Sequence, residues 1–201
     1  MKNSVFLLCS TLVFFYTSCA QDPENQVSDP SSTPFEAELL IDEMQIPWGM
    51  TFLPDGSMLV TEKSGEIVHF KNGAKTKVKE VPQVYTRGQG GLLDIEAHPD
   101  YANNGWIYIS YSSEEGDEKG GNTALMRAKL KDNALVEKQL LYKATPNTTK
   151  GQHFGSRIVF DNEGYLFLSI GERGARDENP QDITRDGGKI YRFHDDGKIP
   201  Q

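Results

Sequence analysis

From Glu36 onward the chain alternates short apolar runs with clusters of Gly, Asn, Asp and Pro. Helical spacing is nearly absent, and the pattern is that of short strands joined by turns. Three stretches resemble one another: MTFLPDGSMLVTE (50–62), IEAHPDYANNGWIYISY (95–111) and IVFDNEGYLFLSI (158–170). Each reads as a short strand, a tight turn ending in Gly, and a more apolar strand. The turn glycines Gly56, Gly105 and Gly164 lie 49 and 59 residues apart, and Gly suits hairpin turns that need positive φ. Further strands are expected at 65–70 and 76–81, at 121–130 and 135–142, and at 187–193. Four antiparallel strands repeated at this spacing predict β-propeller blades, against a β-sandwich with chance self-similarity. The fold class expected is therefore all-β, a propeller fragment of about three four-stranded blades with the last incomplete. Three blades do not close a ring, so the sequence is expected to be the N-terminal part of a longer protein.

In an up-and-down blade the first–second and third–fourth strand turns share one face. The second–third loops and the links between blades share the other. The glycine turns are short, whereas the links 82–90 and 143–153 and the loops 113–120 and 171–186 are long and chemically varied. Loops held by a rigid scaffold are where function concentrates, so the active face is placed there. Three segments meet on it: Arg87-Gly88-Gln89-Gly90-Gly91, Lys150-Gly151-Gln152-His153-Phe154-Gly155, and Gly171-Glu172-Arg173-Gly174-Ala175-Arg176-Asp177. Gln89 offers a donor and an acceptor beside a backbone that glycines let approach a ligand. A histidine such as His153 can act as a general base if a partner fixes its tautomer. Arg173 is expected to be a sugar- or anion-facing donor. His98-Pro99-Asp100-Tyr101, His69, His194, Asp94 and Glu96 read as structural, with His69 and His194 in strand positions and Asp94 and Glu96 along a half-buried strand.

Composition narrows the class. With 29 acidic and 21 basic residues the net charge is −8, which argues against a nucleic-acid partner. Both cysteines fall in the first 19 residues, so the remainder has neither a disulfide framework nor a thiolate metal site. No apolar stretch is long enough for a membrane-spanning helix. Residues 1–18 read as a signal peptide, with Lys2 ahead of an apolar core from Val5 to Phe15. Tyr16-Thr17-Ser18-Cys19 resembles a lipobox with Tyr16 in the usual Leu position, which makes Cys19 the expected lipidated residue and an N-terminal lipid anchor the expected membrane contact. An ordinary secretory signal is the alternative. Either way the protein is expected to be exported, periplasmic or in the cell envelope. Residues 19–35 read as a disordered spacer, and 36–201 as the propeller.

Together, IPWGMTFLPDGSMLVTEKSGEI, GQGGLLDIEAHPDYANNGWIYISY, QHFGSRIVFDNEGYLFLSIGERG and the QD…GGKIYRFHDDGKIP run resemble the soluble pyrroloquinoline-quinone (PQQ)-dependent glucose and aldose sugar dehydrogenases. The resemblance implies a six-bladed propeller that oxidises the anomeric hydroxyl of a small sugar to a lactone by hydride transfer to PQQ, with Ca2+ beside the quinone. It puts His153 on the catalytic histidine and Gln89 on a glutamine lining the cofactor and sugar site. Gln152 stands where glucose-oxidising members have an aspartate, and Arg173 where they have a glutamine. Both departures imply an aldose-type enzyme without a strict glucose preference. The calcium ligands and most quinone-binding residues belong to later blades of the family, so this piece alone is expected to be inactive. The sugar, the electron acceptor and the oligomeric state are left open. Two other readings are a propeller hydrolase such as a lactonase, which would need carboxylates and asparagines around a central metal, and a non-catalytic propeller that binds carbohydrate or protein.

Overall fold

Among the described residues, eleven strands and one helical turn arise where the apolar runs fall. They are β1 (Pro47–Phe52), β2 (Met58–Glu62), β3 (Glu66–Lys71), β4 (Ala74–Lys77), β5 (Leu92–Ala97), α1 (Tyr101–Asn104), β6 (Trp106–Ser113), β7 (Asn122–Lys131), β8 (Ala134–Lys143), β9 (Gly155–Phe160), β10 (Leu166–Ile170) and β11 (Lys189–Phe193). This computed structural model describes residues 35–201. The signal peptide, Cys19 and all but the last residue of the spacer lie outside the described residues. Leu39–Gln201 form one unit.

The strands make three antiparallel sheets, ordered β1-β2-β3-β4, β5-β6-β7-β8 and β9-β10-β11, each meandering from an inner to an outer strand. This is the blade arrangement that the repeats predict. Gly56, Gly105 and Gly164 all take positive φ (80°, 69° and 84°). The second of these turns is longer than expected. α1 fills it, Gly105 is the left-handed cap, and its N–H closes onto the Tyr101 carbonyl. Nδ1 of His98 accepts from the Asp100 backbone N–H at 2.9 Å, shaping the same turn.

The outer strand of the first blade is Ala74–Lys77, not 76–81. The Asn72-Gly73 pair, with φ of 50° and 77°, turns the chain back at once, as a two-residue hairpin requires. Beyond it Val78 still donates to the Ile67 carbonyl at 2.9 Å, and Lys79 crosses to the second blade by a parallel bridge to Ala134. His69 lies in β3 as expected, whereas His194 falls one residue past β11 and closes a turn with Lys198.

Two apolar layers hold the blades face to face. Leu59 and Ile67 of the first blade pack with Ile95, Ile107 and Ile109 of the second. Tyr108 and Leu125 pack with Ile158, Leu166, Leu168 and Phe193 of the third. Burial of these side chains is the main drive for stacking. Hydroxyls clip the inner strands where the layers leave backbone groups unpaired. Thr61 Oγ1 donates to the Leu93 carbonyl at 2.5 Å, Ser110 Oγ to Ser156 O at 2.7 Å, and Thr123 Oγ1 to Phe154 O at 2.7 Å.

Asp94 is more deeply placed than a half-buried strand implies. Its side chain is 3% exposed and accepts from Arg157 Nη1 at 2.9 Å and from the Ile158 amide at 2.8 Å. Burial pushes its pKa up, opposed by the Ile158 amide and the Arg157 charge. Asp94 therefore fastens β9, the strand that follows His153, to β5.

Candidate active site

The registers of the strands decide which loop residues meet. In the β9–β10 hairpin Ile170 pairs with Gly155. Extending that antiparallel register by two residues past the strand ends sets His153 opposite Glu172. The side chains meet there, with His153 Nδ1 hydrogen-bonded to Glu172 Oε1. Glu172 is further held by the Ala175 amide on Oε2. Partial burial works to raise its pKa, but the His153 ring and the Ala175 and Gly174 amides outweigh it and hold the carboxylate below its ordinary value. A carboxylate only accepts, so Nδ1 carries the proton and Nε2 presents a lone pair. The His153 side chain is 42% exposed, and that lone pair belongs to a ring open to a cleft of 350 Å³ lined also by Lys150, Gln152, Glu172 and Arg176.

The backbone beneath the ring is equally constrained. His153 takes φ of +54°, a left-handed conformation that costs a non-glycine residue about 1 kcal/mol or more. Three contacts keep it there. Its N–H donates to Gln89 Oε1 at 2.7 Å, its carbonyl accepts from the Arg173 amide at 3.4 Å, and the Phe154 carbonyl accepts from Gly171 N at 3.1 Å. Gln89 N in turn donates to Gly151 O at 2.7 Å. Gln89 and His153 thus come together at the loop end of successive blades. With Oε1 engaged, the Gln89 amide nitrogen remains as a donor.

Glycine is required where these segments cross. A Cβ on Gly88 would lie 2.1 Å from the Gly151 carbonyl oxygen, and one on Gly171 would lie 2.0 Å from the His153 carbonyl oxygen.

Arg173 does not face a sugar or an anion, as the sequence reading expected. It is 2% exposed, and its guanidinium lies 3.4 Å from the centre of the Phe154 ring. It donates to the carbonyls of Gln152, Lys150 (2.9 Å) and Gly121 (3.2 Å). Burial lowers its pKa. Two backbone carbonyls of the 143–153 link and that of Gly121 draw the fork inward, where it braces that link against the 171–174 turn. Gln152 remains exposed at the cleft.

The rest of the 171–186 loop is pinned from behind. Lys189 Nζ donates to the carbonyls of Asp182 (2.8 Å), Gly187 (2.9 Å) and Asn179. Asp186 accepts from Tyr142 Oη at 2.7 Å, from the Thr145 amide at 2.6 Å and from Tyr191 Oη.

Glu172 is the site residue that sequence reasoning passed over in favour of the charge at Arg173. The repeat did not single it out: the hairpin register carried straight from Phe160 and Leu166 would set Arg173 across from His153, and a register shift between Leu168 and Ile170 brings Glu172 there instead.

Blade-like antiparallel sheets with a histidine–carboxylate pair among the loops at one end define a propeller-type protein with a candidate acid–base site. A family model described as Glucose / Sorbosone dehydrogenase matches residues 44–201, and the chain belongs to that family. It is 39% identical over 168 residues to the aldose sugar dehydrogenase YliI of Escherichia coli strain K12, covering 81% of this chain and 45% of that one. The apo-form crystal structure of the soluble aldose sugar dehydrogenase from Escherichia coli superposes with a TM-score of 0.77 at 37% identity, over 82% of this chain and 48% of that one. The PQQ-bound aldose sugar dehydrogenase of Streptomyces coelicolor does so with a TM-score of 0.66 at 30% identity, over 77% and 46%. The chain spans about half the length of the curated relatives it matches.

Proposed function

We propose that the protein oxidises the anomeric hydroxyl of an aldose to a lactone, with His153 as general base and PQQ as hydride acceptor. The observation that carries this is the His153–Glu172 pair, which leaves Nε2 as an acceptor at an open cleft. When bound, PQQ supplies the electrophilic carbonyl carbon that takes the hydride from C1 of the sugar. The chain's own residues do the rest. Nε2 takes the proton of the C1 hydroxyl, and Glu172 stabilises the imidazolium that results. Gln89 fixes the His153 backbone with one atom of its amide and offers the other to the bound molecules. The Lys150 ammonium, the Arg176 guanidinium and the Gln152 amide line the same cleft beside the carboxylates of Glu172, Asp177 and Glu178; the two cations are the groups there that would meet the carboxylates of a quinone. The proton lost by the C1 hydroxyl thus has its acceptor in the His153 ring, and a bound quinone would account for the two electrons lost with the hydride.

The resemblance gave Gln152 and Arg173 as the departures from the glucose-oxidising members. With Arg173 buried, Gln152 is the departure that meets substrate, and it presents a neutral amide where a carboxylate would restrict the sugar. Among the described residues no group of three or more His, Cys, Asp or Glu side chains is placed to hold a metal ion, and the resemblance gives the calcium ligands to later blades of the family.

Replacing His153 by Ala in the full-length protein tests the assignment. Quinone-dependent dye reduction with an aldose is expected to fall roughly 10²–10⁴-fold, with quinone binding little changed. Turnover that survives the substitution would remove His153 from the base role. Export with a lipid-anchored Cys19 is proposed on the N-terminal pattern alone; metabolic labelling with palmitate that is lost in Cys19→Ser is the expected result.

A further inference from the structure

A second cleft lies away from the loop end. It opens at the opposite end of the sheets, between the first and second blades, with a volume of 1080 Å³, the size range of small-molecule sites. Its walls are four turns: 53–55, 71–74, 101–105 and 130–133.

The cleft is not a general consequence of blade twist. The corresponding position between the second and third blades is filled. There Tyr108 and Phe160 meet edge to face at 5.0 Å, His98 packs on Phe160 at 5.2 Å, and the Tyr108 hydroxyl closes on the Asp195 carbonyl at 2.8 Å. Aligning the repeats on their turn glycines puts Leu59 at the place of Tyr108, one blade back, and the strand pairing, Ala97 with Ile107 as Phe160 with Leu166, puts Ala97 at the place of Phe160. Two aromatic rings close the second junction, whereas smaller side chains stand at both places in the first.

What lines the space is chemically specific. Leu53 and Leu130 give it apolar ground, and the half-buried Tyr101 adds a ring whose hydroxyl has no protein partner among the described residues. Asn72 and Asn133 stand on left-handed hairpin positions, with φ of 50° and 56°, so their amides are presented by rigid turns. Asn133 Oδ1 accepts from His69 Nδ1 at 2.8 Å, which leaves the Asn133 amide nitrogen as a donor. His69 Nε2 then carries a lone pair, and it is buried with no partner. Lys71 and Asp55 neutralise one another at 2.7 Å, and Asp132 gives the lining a residual negative charge. An anion is therefore disfavoured. Amides and a phenol on an apolar floor suit a neutral ligand rich in hydroxyls, which offers both donors and acceptors and carries an apolar ring face.

We propose that this cleft is a second, non-catalytic site for a neutral saccharide of about two rings. It is independent of the redox assignment, because it lies at the other end of the sheets and uses none of the same residues.

The test uses methyl β-cellobioside, which has no free anomeric hydroxyl to oxidise. Amide and side-chain NMR shifts of the protein are followed as the glycoside is added at millimolar concentrations. The expected result is perturbation at Asn72, Tyr101 and Asn133, with none at Gln89, His153 or Glu172. Ala102→Trp, at an exposed position on the cleft wall, is expected to weaken binding about tenfold or more, and Tyr101→Phe to weaken it less while leaving the thermal midpoint unchanged. The proposal is overturned if no shift occurs at the turn end, if the shifts are confined to the His153 cleft, or if Ala102→Trp binds as the parent does.

Discussion

The two ends of the sheets use glycine for different reasons. At the turn end Gly56, Gly73 and Gly164 take positive φ, yet a Cβ on any of them would meet nothing within 4 Å. At the loop end Gly88, Gly120 and Gly171 lie against backbone oxygens, with room for no side chain at all. The first set answers a dihedral requirement, and the second a packing one. The consequence is that the loops around His153 are interlocked through main-chain atoms, whereas the turns are free to vary. That freedom is what allows α1 into one turn and an open cleft between two others.

Substitutions sharpen this contrast. Gly88→Ala combines a left-handed φ with a carbonyl at 2.1 Å and is expected to cost about 3 kcal/mol or more. Thermal or urea unfolding would register it as a large drop in midpoint. A cost under about 1 kcal/mol would mean that the loop end is softer than its geometry implies.

Glu172→Gln is the next largest. It removes the charge that stabilises the imidazolium but retains the volume, and turnover of the full-length protein is expected to fall roughly 10–100-fold, the effect of losing a partner that fixes ring orientation. Glu172→Asp should recover part of that loss. The same substitution has a pH signature. The folded-state pKa of Glu172 lies below its ordinary 4.5. The stability its ion contributes is therefore complete above pH 4.5 and lost as the pH falls through the depressed value. Acid unfolding of Glu172→Gln should show less of that loss, and identical acid limbs would argue against the ion pair.

Gly56→Ala is the smallest. With open space around it, only the left-handed φ opposes the methyl group, for about 1 kcal/mol. A cost as large as that of Gly88→Ala would abolish the distinction between the two ends.

Much was legible beforehand because it depends on local pattern. Alternating apolar runs and glycine turns are enough to give strands, hairpins and a repeat, and the repeat is enough to give blades. The same periodicity brought Gln89 and His153 to one end, since each stands just ahead of an inner strand. The outer strand of the first blade, expected at 76–81, starts at Ala74 because Asn72-Gly73 turns the chain back at once, and an edge strand tolerates the charges of Lys75 and Lys77. The burial of Arg173 was not legible. A guanidinium's direction depends on which carbonyls lack partners, and those belong to segments 21 to 52 residues away.

Sequence alone determined the architecture and the residue types available for chemistry, because strand period, turn stereochemistry and charge are properties of neighbours along the chain. Tertiary structure alone decided that Glu172 rather than Gln152 holds the His153 ring, that Arg173 braces the loops from within, and that one junction between blades is filled and the other open. Each of those outcomes depends on register and side-chain volume across sheets, where residues distant in the chain compete for the same space and the same hydrogen bonds.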